Sequence, residues 1–342
     1  MKKVGICLLL VMVPGLRFLP ARAQTTAGNA VLRLDPALDG VISVDAKLEA
    51  LKEEYFGFIE GPSWTREPGG GYLLFSDIPA NRIYKWDPKA GLSIFLDHSG
   101  FTESGLPTAN VNVLYNGRLW VALAGSNAVV RDREGRLLVC AHGDRMLYRL
   151  EKDGTRTTLA DRYEGKRLSG PNDLAVKSDG SVYFSDRGGG LRGGTTSPER
   201  DLPFNAIMRL KAGKLDIVVK DDGANGLAFS PDEKYLYVIT FGKIDRYDVQ
   251  PDGTVANRQV FLDTTTDKAP GSPDGMKVDR KGNIFTSGPG GAWIVSPEGK
   301  LLGKILVPIP PANLSFGDAD GKGLYLTART TLYHIRLNAP AF

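Results

Sequence analysis

Six residues, Glu60, Asn127, Asn172, Asn225, Asp274 and Asn313, stand at the heads of similar apolar stretches along the 342-residue chain. Two carry carboxylates, four carry carboxamides, and none is apolar. Brought together, these oxygens suit a hard divalent cation, which takes about six to eight oxygen ligands and is charge-balanced by a pair of anions. A cation so held polarises a carbonyl, while a carboxylate beside it deprotonates water or attacks directly. Asp274 is the candidate for that catalytic carboxylate, with Glu60 as the anchoring ligand; general base and nucleophile remain equal alternatives. Any single Asn or Asp could merely shape a turn by bonding nearby backbone. Glu60 is no turn former, however, and six oxygen-bearing heads in series point to a polar, metal-binding channel.

Such residues can meet only if the fold makes them equivalent, and a repeat does so. Successive heads are 67, 45, 53, 49 and 39 residues apart. The second unit reads Asn127-Ala-Val-Val-Arg-Asp-Arg-Glu-Gly135, Arg136-Leu-Leu-Val-Cys140, Met146-Leu-Tyr-Arg-Leu150. The third reads Asn172-Asp-Leu-Ala-Val-Lys-Ser-Asp-Gly180, Ser181-Val-Tyr-Phe-Ser185, Ala206-Ile-Met-Arg-Leu210, a near match position for position. Short alternating strands are separated by Asp-Gly, Glu-Gly and Lys-Gly turns, and no long helical periodicity interrupts them. Units of this size with three or four strands fit the blades of a propeller, which repeats radially and leaves few exposed sheet edges. The expected fold is therefore all-β, a six-bladed β-propeller. The sixth unit shows only three strands, at 313–318, 323–328 and 331–336. The unassigned segment 42–51 is expected to supply the fourth and close the ring.

Residues 1–23 have a basic start, an apolar run and small residues at Ala21 and Ala23, the order of a cleaved signal peptide. The expectation is an exported, periplasmic or secreted protein whose residues 24–342 form a single domain; the apolar run is too short and interrupted to span a bilayer. The chain's +4 net charge vanishes with Lys2, Lys3, Arg17 and Arg22 of that segment. No electrostatic case remains for nucleic acid or an anionic membrane as partner, and no partner protein is implied. Cys140, alone once Cys7 leaves, reads as a small core residue, and His98, His142 and His334 lack the pairing of a zinc site. Trp64, Trp86, Trp120 and Trp293 read as packing between blades. The glycine runs at 69–71, 188–190 and 288–291 lack a phosphate loop's strand-to-helix context and read as flexible turns.

Several stretches together resemble the gluconolactonase and senescence-marker-protein (regucalcin) family of six-bladed propellers. They are Glu60-Gly-Pro-Ser-Trp64, Asp132-Arg-Glu-Gly-Arg-Leu-Leu-Val-Cys140, His142-Gly-Asp144, Tyr163-Glu-Gly-Lys-Arg-Leu168, Ser169-Gly-Pro-Asn-Asp173, Asn225-Gly-Leu-Ala-Phe229 and Pro273-Asp-Gly-Met276. The resemblance implies that Glu60, Asn225 and Asp274 ligate the catalytic ion and that Asp274 is the acid/base. Asn172 matches a position that completes the metal shell or contacts substrate; Asn127 and Asn313 match heads lining the channel, with Asn127 assigned to the substrate side. The implied cofactor is one divalent cation, Ca²⁺ first, with Zn²⁺, Mn²⁺ or Mg²⁺ as alternatives, and the implied substrate is a small lactone. Phosphotriester or fluorophosphate hydrolysis is the rival chemistry, and a non-enzymatic binding propeller the rival class. The chain departs from the family pattern at Cys140-Ala-His-Gly143, where Cys-Glu-His-Gly is usual, and at Asp186-Arg-Gly-Gly-Gly190, where Asp-Pro-Pro-Tyr-Gly is usual. Both departures alter the mouth and leave the identity of the lactone open.

Overall fold

The structure, a computed structural model, describes residues 29–103, 112–115, 119–191 and 193–342, with the strands Asn112–Tyr115 and Leu119–Ala122 given by their backbone pairing. The expected signal peptide and the side chain of Trp120 lie outside the described residues.

Six antiparallel sheets follow one another along the chain. Blade one comprises Ile59–Glu67, Gly70–Asp77, Arg82–Asp87 and Gly91–Asp97, and blade two Ser126–Arg131, Leu137–Ala141, Met146–Leu150 and Arg156–Ala160. Blade three runs from Pro171–Val176 to Lys214–Lys220 and blade four from Ala224–Phe229 to Val255–Asp263. Blade five begins at Met276–Val278 and blade six at Asn313–Gly317. The innermost strands touch in ring order, and that of blade six returns to that of blade one.

Closure comes from the N-terminal side, as expected: Glu49–Lys52 pairs with Thr331–Arg336 and completes blade six. The closing strand is only the end of the 42–51 segment. Further upstream, Val31–Arg33 adds a fifth strand to blade five by pairing with Leu301–Leu306, an addition with no counterpart in the repeat.

The core is divided into six wedges between neighbouring blades rather than gathered at one centre. Phe285 and Ile294 of blade five meet Leu314 and Leu326 of blade six; Leu138 and Cys140 of blade two meet Phe184 and Met208 of blade three. Each second strand is therefore covered on both faces. Leu137-Leu-Val-Cys-Ala141 is buried throughout, where a sheet facing water would alternate. At about 25 cal/mol per Å² of apolar surface removed from water, these wedges are what hold the ring together. Cys140 is a fully buried wedge residue, as its sequence context implies.

Two local devices aim the heads into the channel. In blades one to four the inner strand is bulged or irregular at its head, for example between Glu60 and Ser63 and between Ala224 and Leu227. A bulge bends the strand and re-aims a side chain. The second device is close approach: a Cβ on Gly226 would lie 2.2 Å from the carbonyl oxygen of Asp274, so only glycine lets blade four carry Asn225 up to blade five.

Candidate active site and metal centre

At the end of the ring where the inner strands begin, a cavity of about 850 Å³ opens to solvent. Five of the six heads line it: Glu60, Asn127, Asn172, Asn225 and Asp274. The sixth, Asn313, is 2% exposed and sits just beneath the lining against Glu60, its Oδ1 accepting from Leu314 N–H at 2.9 Å and from Lys277 Nζ at 3.4 Å. Its inner strand keeps regular register with no bulge at the head, unlike those of blades one to four.

The two carboxylates are the electrostatic centre. Glu60 is 3% exposed, and its Oε2 accepts the Gly61 N–H at 2.8 Å. Burial first, and the charge of Asp274 second, hold its carboxyl well above the usual range. Burial also raises Asp274, against the opposing pull of the Arg187 guanidinium and a hydrogen bond from Asn225. That bond, Asn225 Nδ2 to Asp274 Oδ1 at 2.5 Å, fixes the carboxamide, and the buried Asn225 Oδ1 is left without a partner. Two neighbouring buried carboxylates and an unpaired carbonyl oxygen suit a hard cation. No cluster of three or more His, Cys, Asp or Glu occurs among the described residues, so the donor set depends on amide oxygens.

His142 is the site residue that the repeat did not mark. It is 1% exposed, and its Nε2 faces Asn127 Nδ2 at 3.5 Å and Asn172 Nδ2 at 3.4 Å. Burial and the nearby charge of Arg187 push the imidazole down to about 4, so it is neutral at pH 7, and in the tautomer protonated at Nδ1 the single Nε2 lone pair is shared by the two amides. Each amide that donates through Nδ2 has its Oδ1 turned away from the ring, which makes His142 an orienter of two heads. The clue in the sequence was position: Cys140-Ala-His-Gly143 ends the second strand of its blade, beside the next head.

Asp77 and Asp186 close their second strands at equivalent places, in the repeated triplets Phe75-Ser-Asp77 and Phe184-Ser-Asp186. Asp77 accepts the N–H groups of Gly57 and Phe58, just ahead of Glu60. Asp186 accepts those of Ser169 at 2.9 Å and Gly170 at 2.7 Å, just ahead of Asn172. The serines complete the pattern: Ser76 Oγ donates to the Asn127 carbonyl at 2.7 Å, and Ser287 Oγ accepts from Asp274 N–H at 2.8 Å.

Burial raises the Asp186 carboxyl from its ordinary 3.8 to about 6. A group raised in the fold supports stability fully below its unfolded value and loses that support as pH climbs through the folded one. Between pH 4.5 and 7.5 the wild type should therefore lose about 2 kcal/mol that Asp186→Asn, having no proton to release, does not lose. Urea denaturation of both proteins from pH 4.5 to 7.5 measures the difference. Parallel curves would remove Asp186 from this role.

Other expectations resolve individually. Trp293 is 5% exposed within the wedge between blades four and five, and Trp64 stacks on Tyr325 between blades one and six at 5.6 Å. Trp64 and Trp86 both also border a second cleft of about 670 Å³ between those two blades. Gly188–Gly190, expected as a flexible turn, forms a short 3-10 turn in the cavity wall.

Comparison with known proteins fits this geometry. The chain belongs to the family described as SMP-30/Gluconolactonase/LRE-like region, which it matches over residues 58–330. It is 33% identical to a gluconolactonase of Zymomonas mobilis, over 90% of this chain and 85% of that protein. A gluconolactonase of Xanthomonas campestris of solved structure superposes with a TM-score of 0.74 at 29% identity, covering 90% of this chain and 94% of that one. A calcium-binding protein, regucalcin from Agrobacterium tumefaciens, shares the fold with a TM-score of 0.63 at 15% identity, over 86% and 95% of the two chains.

Proposed function

We propose that this chain is an exported hydrolase that opens small lactones with one divalent cation, Ca²⁺ first, held by Glu60, Asn172, Asn225 and Asp274. The hydrolase class follows from the gluconolactonase relatives of its family. The observation that carries the metal reading is the pair of buried carboxylates beside the unpaired Asn225 Oδ1 in one cavity. The calcium-binding name of the Agrobacterium neighbour agrees with it.

A bound cation would supply Lewis-acid polarisation of the lactone carbonyl. The residues supply the rest. Asp274 Oδ1 is engaged by Asn225, which leaves Oδ2 to take the proton from an attacking water. That proton then passes to the departing ring oxygen, and the product is the open hydroxy acid. Asn127, turned by His142, offers its carboxamide to substrate hydroxyls. Phe58, Ile78 and Leu123 form an apolar wall that restricts water on one side. No helix among the described residues is long and apolar enough to cross a membrane.

The direct test is turnover of a panel of aldonolactones, with phosphotriesters and fluorophosphates alongside, before and after chelation and after Ca²⁺ is restored. Cation-dependent opening of lactones is expected. Turnover of phosphorus esters alone would transfer the site to the rival chemistry, and no turnover at all would leave a binding propeller. Mass spectrometry of the exported protein should find an N-terminus near Gln24; an intact Met1 there would contradict the signal-peptide reading.

A further inference from the structure

The proposed chemistry leaves one charged side chain of the cavity unused. Arg187 follows the second strand of blade three directly and lines the cavity with the heads. Its backbone is extended, at φ −145° and ψ 162°. The N–H donates to the Gly170 carbonyl at 3.2 Å, and the carbonyl accepts from Gly189 N–H at 2.7 Å. Asp186, the residue before it, is fully buried and bonded to Ser169 and Gly170. The guanidinium therefore rises from a fixed stalk.

The wall around it is bare. Gly188, Gly189, Gly193 and Gly194 contribute backbone alone to the lining. A Cβ on Gly189 would come within 3.2 Å of His142 Cε1 and 3.8 Å of Asn172 Nδ2, so the glycine preserves the space beside those two side chains. Among the described residues the cavity lining holds three charged side chains, Glu60, Asp274 and Arg187. Once a divalent cation balances the two carboxylates, the guanidinium leaves the wall with a net positive charge. Behind the wall the buried Asp173 is faced by Lys277, while a second cation, Arg329, lies over the ring of Phe58 at 5.6 Å with its charge felt by Asp274. A planar guanidinium with parallel N–H donors matches a carboxylate or phosphate better than it matches sugar hydroxyls.

We propose that Arg187 is a specificity-determining residue that selects lactones bearing an anionic group, a carboxylate or a phosphate, away from the reacting carbonyl. This rests on the lactonase reading and narrows its substrate class. The competing role for Arg187 is to lower the proton affinity of Asp274, which would affect every substrate alike.

The Ca²⁺-loaded enzyme is assayed with D-glucono-1,5-lactone, which is neutral, D-glucaro-1,4-lactone, which carries a carboxylate, and 6-phospho-D-glucono-1,5-lactone. In the wild type kcat/KM is expected to be higher for at least one anionic lactone than for the neutral one, and the better of the two identifies the group. Arg187→Gln should reduce that ratio roughly 10- to 100-fold, the cost of removing a charged hydrogen-bonding partner, mainly through KM. Arg187→Lys should recover part of it, and added salt should erode it. A wild-type preference for the neutral lactone, or an Arg187→Gln loss equal across all three, overturns the proposal. Calorimetric binding of the product acids, gluconate against glucarate and 6-phosphogluconate, separates this from failure of the lactonase reading. Tighter binding of an anionic-tailed acid that disappears in Arg187→Gln supports the site even where no lactone turns over; equal binding of all three acids overturns it.

Discussion

Asp274→Asn should keep its divalent cation and lose roughly hundredfold or more in turnover, the usual cost of deleting a positioned acid/base group. Asparagine preserves an oxygen of similar size and position but has no basicity. Its partner Asn225 can still approach, because the close contact that seats Asp274 is made by its backbone carbonyl against Gly226 rather than by its carboxylate. The loss should appear in kcat, since the missing function is proton acceptance during the reaction. Glu60→Gln should behave differently. Glu60 is buried and bonded at Oε2 to Gly61 N–H, a fixed placement that suits an anchor for the ion. Its defect should lie in metal occupancy and recover partly at high Ca²⁺. Lactonase rate against Ca²⁺ concentration, with bound metal measured in parallel, distinguishes the two variants. Equal rescue of both by Ca²⁺ would reduce Asp274 to a ligand, and undiminished activity in Asp274→Asn would end the mechanism.

The legible and illegible parts of this site have separate physical causes. The heads were readable because a propeller places equivalent repeat positions at one end of one channel. Any oxygen-bearing residue recurring there is brought to a common place, however far apart the units lie in sequence. Equivalence in sequence does not fix depth: Asn313 sits against Glu60 beneath the lining, on an inner strand of regular register, whereas those of blades one to four are bulged or irregular at the head. His142 and Arg187 were harder to find because they belong to the ends of second strands, which return to the same face beside the heads. Only blade two supplies a histidine there, and an arginine follows the second strand in blades three and six alone, Arg187 and Arg329, so no six-fold periodicity announces them. The repeated Phe-Ser-Asp triplet was periodic, but its serines and aspartates act on backbone, and backbone bonding leaves no signature distinct from ordinary turn chemistry. The fifth strand of blade five was invisible for a related reason. Val31-Leu-Arg33 is too short to show alternation, and the edge it covers becomes known only once the blade is built.

Removing the cation should destabilise the protein as well as silence it. Glu60 and Asp274 are both buried, and the charge of Asp274 disfavours ionisation of Glu60. Without a counter-charge, folding must either protonate one of them or bear the repulsion, and unfolding relieves both. A cation that binds the folded state alone removes that cost and adds its own linkage, about 2.7 kcal/mol at a hundredfold excess over Kd. The expected result is a urea midpoint that falls on chelation and returns with Ca²⁺. The increment should shrink sharply in Glu60→Gln, fall to the metal-linkage part alone in Asp274→Asn, where the repulsion is gone but the ion still binds, and weaken in Asn225→Ala, where the unpaired Oδ1 is gone. Mg²⁺ should restore less than Ca²⁺, because carboxamides fixed by His142 and by Asp274 cannot readily contract into the smaller octahedral shell that Mg²⁺ demands. A midpoint indifferent to chelation in the wild type, with the metal shown to be absent, would refute the charge argument. An increment that survives intact in Glu60→Gln would place the ion elsewhere in the ring.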